Sequence, residues 1–407
     1  MSRRRSWPPP HELTLPQLAA AFAVPGGSWS PVGSDLGRDL LGGRFCFDPF
    51  AASAAGERPN PNLVVFGQLG RGKSALVKTL LRRQLDLGRE VVVVDPKGEY
   101  GPLASAAGTA PLRLEPGGRL RLNPLDQGES PTVMGRNEAL VAALVTSGLG
   151  TPLTPRARAA LGVALRALQP AQRSLPAVAA ALLDPAPSAA TGLHTTVGAL
   201  REDGRDLALE LRRLVVGDLA GMFDGTDATS LPGGPLQVLD LSRLRGSAAV
   251  PMLMTCALAA LSQVRLGSTS PRQRLVIIDE AWAILQEPAI ARYLQASWKL
   301  ARATGIAHLL VLHRASDLQA VGPAGSATVA LAEGLLADSE TVVCFGLPHG
   351  EARAAGELLG LGSTAIALLP TLPRGVALWR LGGRSHLVAL ELSADEVELF
   401  DTDGAMR

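Results

Sequence analysis

The chain is short of lysine, aromatics, cysteine and net charge, and each shortage excludes something. Only four of its 39 basic residues are lysine (Lys73, Lys78, Lys97 and Lys299). With the abundant Ala, Gly and Pro, this points to a GC-rich genome rather than to a function. Aromatics make up 4% and no stripe interleaves them with basic residues, so nothing advertises a base-stacking nucleic-acid surface. The formal net charge of +2, with 19% charged residues, gives no global attraction for a polyanion. Any DNA contact has to be local. Three cysteines, Cys46, Cys256 and Cys344, are odd in number, far apart and without metal-ligand spacing, which excludes a disulfide framework and a zinc site and suggests a cytosolic protein. The basic start Arg3-Arg4-Arg5 runs into Trp7-Pro8-Pro9-Pro10 and not into an apolar leader core. A long uncharged stretch, residues 246–264, is interrupted by Pro251, Ser262 and Gln263. It reads as a buried helix and not as a membrane span.

What is present is enough apolar material, 47% of 407 residues, for one large core or two to three ordinary ones. The most informative segment is Asn62 to Ser74. A short apolar run empties into Gly67-Gln68-Leu69-Gly70-Arg71-Gly72-Lys73-Ser74, followed by Ala75. Glycines at these places let the backbone wrap closely around a polyphosphate, and the loop and helix amides then face its oxygens. Lys73 supplies a compact positive charge for the β/γ-phosphates, and the Ser74 hydroxyl can ligate Mg²⁺. A helical pattern follows, with Val77, Leu80, Leu81 and Leu85 on one face. The alternative, a chance glycine-rich turn, lacks a reason for strand, loop and helix to come in this order.

Around this loop the pattern alternates strands and helices: strand 63–66, helix 73–87, strand 90–95 and short strands around 111–122. Such alternation predicts a mainly parallel sheet with helices on its faces. Residues 127–234 interrupt it with helical runs at 135–146, 155–168, 175–183 and 193–216. The alternation then resumes with strand 236–240, helix 247–264, strand 274–279, helix 287–303, strand 306–312, strand 341–345 and helix 349–359. A hairpin-like pair at 375–381 and 386–392, joined by Gly382-Gly383, closes the series. The expected organisation is an N-terminal extension over 1–60, an α/β core over 61–126 and 235–407, and an inserted all-helical subdomain over 127–234. There are no internal repeats.

About 200 residues after the loop, Arg274-Leu-Val-Ile-Ile is followed by Asp279-Glu280-Ala281-Trp282. A continuous apolar run is how a fully buried parallel strand reads, and ligand sites of open α/β sheets lie at the carboxyl ends of such strands. Asp279 is the candidate for the Mg²⁺ shell and Glu280 for the residue that activates water. The competing reading is a buried strand ending in a solvated acidic turn. A third run, Val91 to Asp95-Pro96-Lys97-Gly98-Glu99-Tyr100, ends in polar residues that would share this layer. Asp95 and Glu99 are candidates to orient water or metal, against the plainer possibility that Pro96 and Gly98 simply form the exit turn. The strand 306–312 closes on His313, a candidate γ-phosphate sensor. Arg302 leads the candidate arginine fingers, ahead of Arg314, Arg353 and Arg374, although in an arginine-rich chain any one of these is more often a solvated helix end.

Taken together, residues 67–74, Asp95 to Tyr100, Leu122-Asn-Pro-Leu-Asp126, Asp279 to Trp282 and the Arg-containing helix before a polar strand end resemble the VirB-type traffic ATPases of type IV secretion and conjugation, within the HerA/FtsK superfamily of hexameric motors. The resemblance runs from about residue 60 to about residue 402. It implies a RecA-like P-loop core with an all-α insertion, ATP and Mg²⁺ as ligands, a homo-hexamer, and secretion or conjugation channel proteins as partners at the inner face of the membrane. Two positions depart from that family. His313 stands where Gln is common, and the large N-terminal domain of full-length members has no counterpart here. Two rival functions stay open at this stage: a coupling-type translocase that threads DNA, and a scaffold that binds ATP for assembly without hydrolysing it.

Overall fold

The computed structural model describes residues 33–40, 43–54, 60–118, 120–218, 220–225, 234–244, 247, 250–263, 273–299, 305–314, 327–381 and 384–400. The chain divides into two compact units. The first comprises residues 1–91, 271–282 and 298–407, and the second comprises 92–270 and 283–297.

The first unit is built on a mixed sheet. Its strands are β1 (Ser34–Asp39), β2 (Arg44–Phe47), β3 (Leu63–Phe66), the start of β4 (Glu90–Asp95), β7 (Arg274–Ile278), β8 (Ile306–Leu312), β9 (Thr341–Phe345), β10 (Val376–Leu381) and β11 (Arg384–Leu390), in the spatial order β2-β1-β11-β10-β9-β3-β8-β7-β4. β3 pairs in parallel with both β8 and β9, and β7 pairs in parallel with β8. The β1, β2, β10 and β11 pairings, with β9 against β10, are antiparallel. The cause is legible in the residues. Leu63 to Phe66, Leu275 to Ile278 and Val342 to Phe345 are apolar, β-prone runs that are buried throughout, as strands covered on both faces must be.

Two short strands preceding residue 60 belong to this sheet. β1 pairs with β11 and β2 with β1, and Phe45 and Phe47 meet Trp379 at ring distances of 5.0 and 5.2 Å. The sequence shows only the second of them, because β1 reads Ser-Asp-Leu-Gly-Arg-Asp and lacks an apolar alternation. Its partner strand, not its own propensity, makes it a strand. Gly37 is required there, since a Cβ would stand 2.1 Å from the carbonyl oxygen of Ala389.

Helix α2 (Lys73–Asp86), the second in chain order after α1 (Pro49–Ala54), buries Leu76, Val77, Leu80 and Leu81. Near its far end the Arg83 guanidinium holds Glu396 on α15 (Ala394–Phe400) at 2.6 Å and donates to the carbonyls of Asp35 and Glu391. The helix is thus tied at its C-terminal end to β1, to the residue that follows β11, and to α15.

A polar cluster lies at the opposite end of the central strands from the loop. Asn62 donates to the Trp298 carbonyl at 3.2 Å and its side-chain oxygen accepts from the His308 amide at 3.1 Å. The His308 ring stacks on Trp298 at 4.9 Å, and burial pulls its pKa from 6.5 down to about 4. A histidine whose folded pKa is depressed leaves stability intact above the unfolded value and loses it as protons bind the unfolded chain preferentially. The loss therefore develops as pH falls from 6.5 to about 4 and reaches about 3 kcal/mol. Urea unfolding at pH 7, 5.5 and 4 should show this slope, and His308→Gln should remove that share of it.

The second unit carries the rest of β4, followed in its sheet by β6 (Leu236–Asp240) and β5 (Leu112–Arg113), the last two parallel. After α3 (Gly101–Ala106) come helices α4 (Pro131–Leu149), α5 (Pro155–Ala167), α6 (Leu175–Leu183), α7 (Pro187–Gly192) and α8 (Val197–Arg213). Four of them start at a side-chain cap, with Ser130, Thr154, Ser174 and Thr196 each accepting from the amide three residues on. Proline in the first turn follows three of these caps, a position where its missing N–H costs nothing. The expected helix over 193–216 begins instead at Val197, because Thr196 provides the cap and His194 takes a left-handed φ of 51°. Between 111 and 122 the only strand among the described residues is Leu112–Arg113. Helices α9 (Val250–Gln263), α10 (Trp282–Leu285) and α11 (Pro288–Lys299) complete this stretch of chain, and α12 (Ala327–Ala337), α13 (His349–Leu359) and α14 (Ser363–Leu368) belong to the first unit. Among the described residues no helix is long and apolar enough to cross a membrane.

Candidate nucleotide site

The loop of residues 67–72 leaves β3 and enters α2, and its glycines have steric reasons to be there. Gly67 has φ 155°, and a Cβ on it would stand 2.6 Å from the Cβ of Phe345. Gly72 has φ 114°, and a Cβ on it would stand 3.2 to 3.3 Å from Phe345 and Gly375. Two backbone bonds brace the loop from the first unit's other strands: Gln68 N to Gly346 O at 3.2 Å, and Gly375 N to Arg71 O at 2.9 Å. Sequence reasoning missed Phe345, Gly346 and Gly375, since strand order alone brings β9 and β10 to the loop.

The charge arrangement suits an anion. α2 starts at Gly72 with no side chain capping its first amides and no acid in its first turn, so the positive end of a 14-residue helix favours an anion there. Lys73 is buried, and its ammonium donates to the carbonyls of Gly67 and Gln68, the latter at 3.1 Å. Ser74 is exposed, as are Gln68, Leu69 and Gly70, while Arg71 and Ala75 are half-buried.

Asp279 and Glu280 follow β7 and are buried. Parallel register aligns Ile278 with Leu310, and Phe66 with Leu312. The carboxyl ends of β3, β8 and β7 therefore lie side by side, with the loop, His313 and the acidic pair leaving the same edge of one sheet. Glu280 has φ 53°, in the left-handed region that costs a non-glycine residue roughly 1–2 kcal/mol. Its amide donates to Asp279 Oδ1 at 2.9 Å, and the next amide, Ala281 N, returns to Val311 O at 3.1 Å. The Glu280 carboxylate is gripped on both oxygens: His313 Nε2 stands 2.5 Å from Oε1, and the Trp282 indole N–H donates to Oε2.

The donors offered to a divalent cation are the Ser74 hydroxyl and the Asp279 carboxylate, hard oxygens of the kind Mg²⁺ takes in company with phosphate oxygens and waters. That fits a shared protein–nucleotide metal site. Among the described residues no cluster of three or more His, Cys, Asp or Glu forms an all-protein metal cage.

Asp95 and Glu99 belong to the second unit. Asp95 is fully buried, and its oxygens accept from the amides of Lys97, Gly98 and Tyr100 at 2.8 to 3.1 Å. Burial raises its pKa and these amides oppose the rise. The carboxylate thus holds the exit turn in which Gly98 is left-handed. Arg302 lies outside the described residues, and Arg314, Arg353 and Arg374 are exposed.

Residues 61–143 match the family described as "Helicase HerA, central domain". No curated protein matches the chain. Among solved structures, VirB4 of Thermoanaerobacter pseudethanolicus superposes with a TM-score of 0.70 at 19% identity, over 91% of this chain and 100% of that one. An unbound form of the bacterial conjugative coupling protein TrwB gives 0.54 at 18% identity, over 91% and 92% of the two chains. The plasmid coupling protein TrwB in complex with ADP and Mg²⁺ gives 0.51 at 20%, over 82% and 85%. In fold, then, the chain is a RecA-like P-loop α/β protein similar to VirB4 and to the coupling protein TrwB, with a HerA central-domain match over the segment that holds the phosphate loop.

Proposed function

We propose that the chain is a Mg²⁺-dependent ATPase whose turnover drives a motor of conjugative or type IV secretion-type transport. Water attacks the γ-phosphorus, the bond from that phosphorus to the β,γ-bridging oxygen breaks, and ADP and phosphate leave. Glu280 accepts the proton of the attacking water. The loop amides, the start of α2 and Lys73 hold the β- and γ-phosphate oxygens, and Ser74 with Asp279 would hold the Mg²⁺ ion. When bound, that ion neutralises phosphate charge and orients the transferring group. The reading rests on one observation above others: a glycine-shaped loop entering an uncapped helix leaves the same sheet edge as a carboxylate gripped by two donors. Similarity in fold to VirB4 and to TrwB bound to ADP and Mg²⁺ supports it. By the same resemblance the working form is a ring of six copies beside a membrane channel, in which an arginine of one copy, Arg302 being the first candidate, completes its neighbour's site.

The test is phosphate release by purified protein with Mg²⁺ or with EDTA, together with particle mass, each with and without DNA. Mg²⁺-dependent release indifferent to DNA supports the transport reading. Assembly and turnover that both require DNA, with binding that weakens steeply in salt, would move it to DNA threading. Binding of ATP without any release would leave only a scaffold.

A further inference from the structure

We propose that Trp282 and His313 form a two-donor clamp that aims the Glu280 carboxylate at the attacking water, so that His313 works through Glu280 and not on the γ-phosphate. The proposal rests on Glu280 being the general base. An indole N–H can only donate, and an ionised carboxylate can only accept. Trp282 therefore fixes Oε2, and with Glu280 ionised the His313 Nε2 carries a proton directed at Oε1, 2.5 Å away. Each oxygen has two acceptor sites, so a water can still be engaged after both donors are in place.

The surroundings explain why such a clamp has a task. Glu280 sits on a left-handed backbone at φ 53°, and a residue in that region persists only where its neighbours over-determine it. The backbone supplies two ties, Glu280 N to Asp279 Oδ1 at 2.9 Å and Ala281 N to Val311 O at 3.1 Å. Neither reaches the carboxylate, which lies three rotatable bonds away. The clamp does, from both sides: Trp282 reaches it from the start of α10 on the acidic segment itself, and His313 from the end of β8, whose strand pairs with β7. The His313 and Glu280 side chains are only 22% and 12% exposed, which protects the bond from competition by water. A misaim of about 1 Å at a reacting atom costs roughly a hundredfold in rate. A side chain that prevents it is a positioning residue.

The test compares His313→Ala, His313→Gln and Trp282→Phe with the unmodified protein, measuring phosphate release and the affinities for ATP and ADP. Loss of aim predicts kcat lower by about tenfold to a hundredfold in His313→Ala and Trp282→Phe, with the KM for ATP and the ratio of ATP to ADP affinity unchanged. His313→Gln, which keeps an N–H donor, should recover part of the loss. The double variant His313→Ala with Trp282→Phe should fall no further than Glu280→Gln, because residues acting through one group are not additive. A γ-phosphate sensor behaves otherwise: His313→Ala would then erase the preference for ATP over ADP, and that result overturns the clamp. Unchanged kcat in both single variants overturns it too. Should His313→Ala fail to fold, as judged by circular dichroism, His313→Gln and Trp282→Phe carry the same comparison. Full turnover in Glu280→Gln would refute the base assignment and the clamp with it. An inactive Glu280→Gln beside fully active clamp variants would refute the clamp alone.

Discussion

Replacing Glu280 by Gln is expected to lower kcat for ATP by about a hundredfold to ten-thousandfold, the range that general-base catalysis contributes, while leaving ATP binding in place. The substitution is close to isosteric. The amide carbonyl of Gln can still accept from one clamp donor, so the left-handed turn after β7 keeps most of its ties. What disappears is the capacity to take a proton from water. Steady-state phosphate release together with calorimetric ATP titration separates the two effects: a variant that binds but does not turn over supports the assignment. Loss of binding with loss of turnover would instead mean that the carboxylate holds the site together.

The second large effect is expected at Lys73. Its ammonium lies buried under the loop on the carbonyls of Gly67 and Gln68, within reach of the space the glycines leave open. Hydrogen bonds to charged groups contribute about 1.5–3 kcal/mol each. Lys73→Ala should therefore weaken Mg·ATP binding by roughly ten- to 150-fold, with a smaller loss for AMP, which lacks the β- and γ-phosphates. Titration with ATP, ADP and AMP reads the difference directly. Equal weakening for all three would show that the substitution collapsed the loop and did not simply remove a charge. Lys73→Arg offers little rescue under this account, because a planar fork does not fit where a point charge sits on two carbonyls.

Much of this site was legible before any coordinates. The spacing of Gly67, Gly72, Lys73 and Ser74 carries its own physical explanation, and the apolar runs before Gly67 and Asp279 read as buried strands because no polar residue breaks them. The helix starts after Thr154 and Ser174 were equally open to reading, since each is a hydroxyl residue followed by proline within two positions, whereas the helix expected from 135 starts four residues earlier, at Pro131. What the sequence did not show depends mostly on partners distant in sequence. β1 has no strand pattern of its own and exists because β11 and β2 flank it. The contact of the His313 ring with Glu280 comes from the pairing of β8 with β7, which no local spacing announces. Trp282 carried no visible role, because an indole two residues after an acid is as often core as ligand. Around Asp95 the folded turn directs three backbone amides onto the carboxylate, an arrangement set by the turn's own conformation.

By itself the sequence determined the local chemistry: a loop that can wrap a polyphosphate, a strand that delivers two acids, and helices with their own start signals. These depend on residues within one or two turns of each other, where spacing alone sets geometry. Strand order was decided by tertiary structure, and with it which residue braces the loop, which donors grip Glu280 and which short segments become strands. Those outcomes depend on contacts between residues up to hundreds of positions apart, whose free energy exists only once the sheet has assembled.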